Sequence, residues 1–289
     1  MIRSMTGFGR AEGVVHDRKL TVEVRSLNSK QLDLFLKVPS ALKERENEIR
    51  LKAGERIVRG KAEVFVGSDG IHATKRTSFD RELVRAYYDE LKAIRDSVDP
   101  QATTDLLAQV LRLPDVANTT SDRLAEAEWE QVFLLVDGAL QAFDAFRIAE
   151  GARLQTELHA RVEAIGRLLN EVQQADQGRA ERTRERLRTK LAELGAKADM
   201  DRFEQELIFY LEKMDMTEEM VRLRLHCTYF NETMVQGDAQ GRKLGFIAQE
   251  MGREINTLGS KANDAAIQQL VVLMKDELEK VKEQVLNVL

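Results

Sequence analysis

From residue 79 to the end of the chain, apolar side chains recur at spacings of three and four residues. This periodicity is typical of helices with one buried face, and it constrains the fold more than any other feature. The longest example is a nearly continuous apolar stripe that begins at Leu140 and ends at Val172. A helix with such a stripe must bury it against other elements. The sequence therefore predicts that most of the chain folds as packed helices.

The first seventy residues have a different pattern, which predicts a small sheet. Apolar and polar side chains alternate in residues 20–26 and 31–38, as they do in half-buried strands. The residues between these two segments have turn composition, so we expect an antiparallel pair. A helix over residues 40–58 and a strand over residues 62–66 should follow.

Three glycines near the start, Gly7, Gly9 and Gly13, invite comparison with a dinucleotide-binding loop. Their spacing does not match the G-x-G-x-x-G pattern, and no clear change from strand to helix follows them. We interpret them as turn or bulge residues.

Together these patterns predict an α+β fold in three parts. Residues 1–150 should form a mixed domain with a small, mainly antiparallel sheet and helices. Residues 151–200 should form a long helical hairpin, or arm. Residues 201–289 should form an all-helical C-terminal domain that carries the active site.

Composition limits where the protein acts and what it can bind. Its formal net charge of −5 argues against a globally basic coat for nucleic acid but permits a basic groove. The single cysteine, Cys227, excludes an internal disulfide and favours the cytoplasm. No apolar run approaches the roughly 20 residues of a membrane helix, so no membrane partner is expected.

The richest polar pattern lies in residues 241–261, where an apolar helix face adjoins a different kind of surface. Glu250 and Glu254 are one turn apart and project from one face, with Arg253, Asn256 and Lys261 towards the same end. Two interpretations stay open at this point. The face is either a solvated surface with intrahelical ion pairs or part of a functional site.

A second polar stripe accompanies it on the preceding helix, where Glu219, Arg222 and His226 lie beside an apolar seam. Cys227 belongs to the seam and is predicted to be a core residue, not a nucleophile. If the apolar faces of the two helices pack together, their polar stripes should meet in one cleft.

Two further helical features leave alternatives open. The arm is rich in arginine, including Arg182, Arg184 and Arg186, and is either a solvated tip or a patch that contacts phosphates. The last helix repeats apolar residues at heptad spacing from Ile267 to Val288, which suits packing within a bundle or against another subunit.

Several motifs resemble the YicC/YloC family. They are residues 5–10 (MTGFGR), 26–28 (SLN), 59–61 (RGK), 150–151 (EG), 217–222 (TEEMVR) with His226, 241–244 (GRKL) and 254–261 (EINTLGSK). The resemblance covers essentially the whole chain. It implies a bacterial cytoplasmic endoribonuclease that requires a divalent metal. It also implies RNA as partner and a ring-like homo-oligomer, a hexamer, that closes around the RNA.

The resemblance and the chemistry of the side chains assign roles to named residues. Hydrated Mg²⁺ or Mn²⁺ prefers carboxylate oxygens, and histidine can transfer protons near neutral pH. The expected catalytic residues are Glu219, His226, Glu250, Arg253 and Glu254. Of these, the expected metal ligands are Glu219, Glu250 and Glu254. The expected RNA-binding residues are Arg182, Arg184, Arg186, Arg222, Arg242, Lys243, Asn256 and Lys261.

The chain departs from the family pattern at three places. Gly245 stands where an Asp is usual, Ser29 and Lys30 replace a His-Arg pair, and the last residues differ. The missing carboxylate supports an alternative function, a non-catalytic adaptor that presents RNA to other RNA-decay enzymes. A purely structural helical scaffold is a third possibility, but it leaves the polar cluster unexplained.

Overall fold

The computed structural model describes residues 2–15, 18–69, 76–114, 116–120, 125–193, 199–237 and 239–289. The predicted α+β class is confirmed, because a small sheet near the N-terminus is followed by helices. The strands are β1 (Gly7–Val15), β2 (Arg18–Leu27), β3 (Leu32–Lys37), β4 (Gly60–Asp69), β5 (Arg76–Phe79) and β6 (Ala117–Thr120). The helices are α1 (Glu46–Ile57), α2 (Arg81–Val98), α3 (Leu106–Val110), α4 (Glu126–Asp176), α5 (Arg179–Glu193), α6 (Met200–Lys213), α7 (Thr217–Val235), α8 (Gly241–Lys261) and α9 (Ala265–Val285).

The main sheet has the strand order β1-β2-β4-β3. Strand β2 pairs antiparallel with both β1 and β4, whereas β3 pairs parallel with β4. The predicted antiparallel pairing of residues 20–26 with residues 31–38 is therefore wrong, since β4 lies between these strands. The reason is the connection from β3 to β4, a 3-10 turn and α1, which returns the chain in its original direction and favours parallel pairing.

The glycines of β1 serve helix packing. At Gly9 a Cβ atom would lie 2.1 Å from the carbonyl oxygen of Ala139 and 2.4 Å from the backbone nitrogen of Phe143, both in α4. The glycine therefore lets strand and helix backbones approach closely. Our interpretation of Gly7, Gly9 and Gly13 as turn or bulge residues is wrong, because they lie within a regularly paired strand.

Helix α4 runs through two hydrophobic cores. Its first half, from Trp129 to Phe143, packs with the main sheet and α1. Its second half, from Leu154 to Val172, packs with α7, α8 and α9. The apolar seam of α9 is buried in this second core, so of the two predicted roles it takes the one within the bundle.

The N-terminal and C-terminal segments are joined side by side between the two cores. Ser4 forms a β-bridge with Val288, and the Met5 amide donates to the carbonyl oxygen of Asn287 at 2.8 Å. The Leu289 amide donates to the carbonyl oxygen of Arg3 at 2.9 Å. The last residue also accepts a hydrogen bond from the Gly241 amide, at 3.1 Å. The start of α8 is thus attached to the C-terminal segment, which is itself paired with the N-terminal segment.

None of the helices in the described ranges is both long and apolar enough to cross a membrane.

We expect Gly9→Ala to lower the free energy of unfolding by about 1–3 kcal/mol, because the added methyl group overlaps backbone atoms of α4. Urea unfolding followed by circular dichroism measures this change. Gly166→Ala is the matched control, since a Cβ there meets nothing within 4 Å. It should stabilise α4 by roughly 0.5–1 kcal/mol. Equal stability of the Gly9→Ala variant and the wild type would contradict the proposed close approach.

Candidate functional site

Helices α7 and α8 pack against each other through their apolar seams, as predicted. They run antiparallel, since Glu219 near the start of α7 contacts Lys261 at the end of α8. Leu223, Cys227 and Phe230 of α7 share one core cluster with Met251 and Ile255 of α8. This packing sets the positions of the polar side chains beside the seams. We call the resulting surface between the two helices the α7–α8 groove, defined by Glu219, His226, Glu254 and Lys261.

Glu219 and Lys261 close one end of the groove. The Lys261 Nζ atom donates to the Glu219 Oε1 atom at 2.7 Å. The Glu219 residue is only 6% exposed, and its second oxygen, Oε2, has no hydrogen-bond partner within the described residues. Burying a carboxylate costs free energy unless an opposite charge compensates it. Lys261 is that charge for Glu219, and we call the ion pair the fixed charge centre.

His226 and Glu254 lie two turns further along the same groove. His226 follows Glu219 by seven residues on α7, and Glu254 precedes Lys261 by seven residues on α8. Because the helices are antiparallel, these equal offsets bring His226 level with Glu254. Glu254 is 9% exposed, His226 is half-buried, and neither forms a hydrogen bond with the described part of the chain. The groove thus holds a carboxylate and an imidazole that make no structural hydrogen bond or ion pair.

The other predicted residues of these helices are more exposed. Glu250 forms an ion pair with Arg253 at 2.8 Å, and the Arg253 side chain is 74% exposed. Arg222 pairs with Glu218 on the outer surface of α7, and Asn256 is exposed on α8. An exposed pair contributes little to stability, so the Glu250–Arg253 pair can open to meet a ligand.

Cys227 has the core role that its place in the seam predicts. Burial raises the pKa of its thiol to about 12. The thiolate is therefore not available near neutral pH, which removes this residue as a nucleophile.

Lys243 and Arg242 lie at the opposite end of α8 from Lys261. The Lys243 ammonium is 4.8 Å from the centre of the Tyr229 ring, and it donates to the Gln236 side chain at 3.2 Å. Arg242 is exposed, and it is separated from Glu254 by about 18 Å along the helix axis. The structure therefore does not bring these two basic residues into the α7–α8 groove.

The arginines of the arm have different surroundings. Arg182 donates to the carbonyl oxygens of Gln177 and Ala175 at 2.9 and 3.2 Å, which satisfies the C-terminal end of α4. Arg184 pairs loosely with Glu181 at 3.6 Å, and Arg186 is exposed. Arg182 thus has a structural role, and Arg186 is the one of the three that forms no hydrogen bond or ion pair with the described residues.

The predicted metal ligands do not form a complete site within the described part of one chain. No three His, Cys, Asp or Glu side chains there converge as metal ligands would. Glu219 is engaged by Lys261, whereas Glu254 has no partner and lies one turn from Glu250. Because Mg²⁺ keeps several waters and binds through one or two carboxylates, Glu250 and Glu254 fit a hydrated divalent ion better than Glu219 does.

A concave surface elsewhere in the structure was missed by sequence reasoning. A cleft of about 650 Å³ lies between the N-terminal sheet domain and the helices α8 and α9. We call it the interdomain cleft. Its lining includes Asn28, Ser29, Lys30, Arg59, Arg242, Gly245, Gln249, Glu279, Lys282 and Glu283.

Two of the three places at which the chain departs from the family pattern meet in this cleft. Ser29, Lys30 and Gly245 all line it, together with Val288 from the C-terminal segment. They belong to segments that are far apart in the sequence, so no local periodicity could have grouped them. The only signal available from the sequence was that each of these segments carries part of a family motif.

Comparisons with known proteins agree with these motifs. A family model described as "Endoribonuclease YicC-like, N-terminal region" matches residues 2–156. Another, described as "Endoribonuclease YicC-like, C-terminal", matches residues 172–289. Together they cover the first core completely and the second core except for its members within residues 157–171 of α4.

Two curated relatives are similar over their full length, and both are named "Probable endoribonuclease YicC". The relative from Clostridioides difficile (strain 630) is 31% identical over 293 residues, covering 100% of both chains. The relative from Haemophilus influenzae is 30% identical over 288 residues, covering 99% of both chains.

We expect Lys261→Met to lower the free energy of unfolding by about 2–4 kcal/mol, because it leaves the Glu219 carboxylate buried without its partner. Urea denaturation curves of the two proteins measure the difference. Arg253→Met, which removes the cation of the exposed pair, is the control and should cost no more than about 1 kcal/mol. The double variant Lys261→Met with Glu219→Gln should recover part of the loss. Equal, small effects of Lys261→Met and Arg253→Met would mean that Glu219 is not held as a buried charge.

Proposed function

Since the chain belongs to the YicC-like endoribonuclease family, we propose that it is an endoribonuclease, a hydrolase that cuts phosphodiester bonds within RNA. The observation that carries the assignment of the reaction to a site is that Glu254 and His226, which have no partners among the described residues, lie at the same level of the α7–α8 groove. Glu254 is buried and unpartnered, and His226 is level with it on the facing helix. Polar groups that no structural contact uses are candidates for chemistry.

In this proposal a water molecule attacks the phosphorus atom, and the bond to the leaving ribose oxygen breaks. Glu254 accepts a proton from the attacking water, and His226 gives a proton to the leaving oxygen. Lys261, held in place by Glu219, and the exposed Arg253 stabilise the negative charge that develops on the phosphate oxygens. Arg222 and Asn256 are exposed on α7 and α8 and are proposed to contact RNA near the groove.

We further propose a divalent ion, Mg²⁺ or Mn²⁺, held by Glu250 and Glu254 with water completing its coordination. Such an ion would neutralise phosphate charge and lower the pKa of a bound water. Glu250 would exchange its pair with Arg253 for the ion, which leaves Arg253 free to hold a phosphate oxygen. Glu219 stays with Lys261 as part of the fixed charge centre.

The assembly and the location are also proposals. The family resemblance is the reason to expect a homohexameric ring that encloses RNA, and the cytoplasm as the place of action. The buried seam of α9 no longer supports the oligomer, because this chain's own core uses it. Subunit contacts would then have to use other surfaces.

One observation favours the second candidate function, an adaptor that presents RNA to other RNA-decay enzymes. The two family positions that lack a carboxylate and an imidazole here, Gly245 and Ser29, face a single cleft. If that cleft catalyses cleavage in relatives, this chain would retain RNA binding alone. A Cβ at Gly245 would meet only Val285, at 3.8 Å, so Gly245→Asp is sterically tolerated.

We expect the purified protein to cut a circular single-stranded RNA in the presence of Mn²⁺ and to leave it intact in EDTA. A circular substrate has no ends, so any product reports internal cleavage. Glu254→Gln and His226→Asn should each lower the cleavage rate by about 10²–10⁴-fold, because each removes one proton transfer. Gel electrophoresis of the labelled RNA measures the rates.

Glu232→Gln is the matched control, since it makes the same change at an exposed site on α7 and should cleave at the wild-type rate. If both Glu250→Gln and Glu254→Gln cleave as fast as the wild type, the carboxylates are structural and the site assignment is wrong. If the wild type binds RNA without cutting it, and Gly245→Asp combined with Ser29→His restores cleavage, the adaptor is the correct function.

A further inference from the structure

We propose that the interdomain cleft is a second anion-binding site that holds the phosphate backbone of single-stranded RNA, separate from the α7–α8 groove. This inference rests on the proposed function in so far as RNA is the substrate. Its evidence is independent of the groove, because it comes from the volume, the charge and the hydrogen-bonding groups of a different surface.

The cleft is large enough for a nucleotide and its neighbours. Its volume of about 650 Å³ lies within the range of roughly 300–1,000 Å³ that is usual for ligand sites. One wall is the loop after β2 with Arg59, and the opposite wall is formed by α8 and the end of α9. The Asn28 side chain joins the loop to the carbonyl oxygen of Leu286 at 2.6 Å, and backbone hydrogen bonds join the terminal segments to each other and to the start of α8. These contacts hold the two walls together, so the site is preformed.

Positive charge dominates the lining. Lys30, Arg59 and Arg242 form no ion pair with any carboxylate in the ranges that the structure describes. Lys282 neutralises Glu279 at 2.7 Å, which leaves Glu283 as the one unpaired carboxylate among the described lining residues. Three available cations against one carboxylate make the cleft attractive to an anion.

The geometry of these cations suits phosphate. The Arg59 Nε atom donates to the carbonyl oxygen of Ser29 at 3.0 Å, which holds its guanidinium at the wall of the cleft. Arg242 lies in the first turn of α8, where the peptide dipoles add positive potential and the turn carries no acidic residue. A guanidinium group can bind two phosphate oxygens at once. A surface rich in carboxylates would instead repel the phosphate.

The remaining polar lining favours a nucleic acid over a simple anion. The amide side chain of Gln249 is exposed in the cleft and can pair with a base or a ribose hydroxyl. Asn28 donates to the carbonyl oxygen of Leu286 at 2.6 Å and keeps its own side-chain oxygen for another partner. Such groups recognise the parts of a nucleotide that inorganic phosphate lacks.

The cleft and the groove lie on different faces of α8. Gly245 and Gln249 face the cleft, and Glu254, nine residues after Gly245, is rotated by about half a turn from it. An RNA strand that occupies both the cleft and the groove must therefore pass around α8, so the part held in the cleft lies away from the bond that is cut. In this arrangement the cleft anchors the strand and the groove cleaves it.

A second cavity, at the base of the arm, differs from the interdomain cleft in the charge of its lining. It has about 320 Å³ and is lined by Asp176, Glu212 and Asp215, with Arg179 already bound to Asp176 at 2.6 Å. Its excess of carboxylates repels phosphate. Charge, and not concavity alone, distinguishes the interdomain cleft.

The test measures binding of a labelled 20-nucleotide single-stranded RNA by fluorescence anisotropy in EDTA, at 50 and 200 mM salt. We expect Lys30→Gln combined with Arg242→Gln to weaken binding at least about tenfold, because two charge-assisted contacts are lost. The slope of log affinity against log salt should become shallower by about 1.4, since each phosphate contact contributes roughly 0.7 for single strands. Neither side chain has a partner in the described structure, so folding should be unaffected.

The control is Arg153→Gln combined with Arg167→Gln, which removes the same charge from α4 outside the cleft and should change affinity less than twofold. Wild-type affinity and salt slope in the cleft variant would overturn the proposal. So would a variant that loses affinity for a poly-glutamate peptide but keeps its affinity for RNA, because the occupant would then be an acidic protein.

The two proposals fail separately. If the protein binds RNA through the cleft but never cleaves it, the cleft stands and the endoribonuclease assignment falls. If it cleaves RNA in Mn²⁺ while the cleft variant binds normally, only the cleft is rejected.

Discussion

The structure depends on one helix, α4, which is buried in both hydrophobic cores. Where the two cores meet, α4 carries Arg147, a charged residue that is only 1% exposed. Its Nε atom donates to the carbonyl oxygen of Ser4 at 2.7 Å, and its guanidinium lies over the Phe143 ring at 5.1 Å. A buried guanidinium is stable only when such partners replace water. Arg147 therefore fixes the N-terminal segment at the junction, and the position of each core is set by the same helix.

This constraint explains why the interdomain cleft can have a defined shape. One of its walls comes from the sheet domain and the other from the helical bundle, yet both domains pack on α4. The paired terminal segments add backbone hydrogen bonds between them. A site made from two domains would ordinarily vary with the angle between the domains. Here that angle is restrained by a continuous helix of 51 residues.

The sequence predicts what depends on local periodicity. The helical bundle, the buried seam with Cys227 and the meeting of the α7 and α8 polar stripes all follow from spacings of three and four. The ion pair of Glu219 with Lys261 was harder to predict from the sequence, because it depends on the exact register between two helices. The pairing of β3 with β4 could not be predicted either. Alternation of apolar and polar residues indicates where strands are but not which strands lie next to each other.

Residues that serve close packing or that meet from distant segments could not be identified in this way. Gly9 has no side chain to follow a pattern, and its role is visible only when the backbone of α4 lies against it. In a segment rich in arginine, Arg182 was predicted to bind phosphate. In the structure its guanidinium instead donates to carbonyl oxygens at the C-terminal end of α4. The cleft residues are separated by up to the length of the chain. The domain limits, the metal ligands and the hexamer stay predictions.

The attachment of the terminal segments also has a consequence for the order in which the protein matures on the ribosome. Residues 3–5 are translated early but find their backbone partners only in residues 287–289, which are translated much later. A nascent chain can bury the sheet against α4 early, while its amino-terminal segment waits unpaired. The wall of the cleft that Gly241 and Val288 share is thus completed only after residues 287–289 have emerged from the ribosome. A partly made chain would have no complete cleft with which to hold the RNA that surrounds it during synthesis.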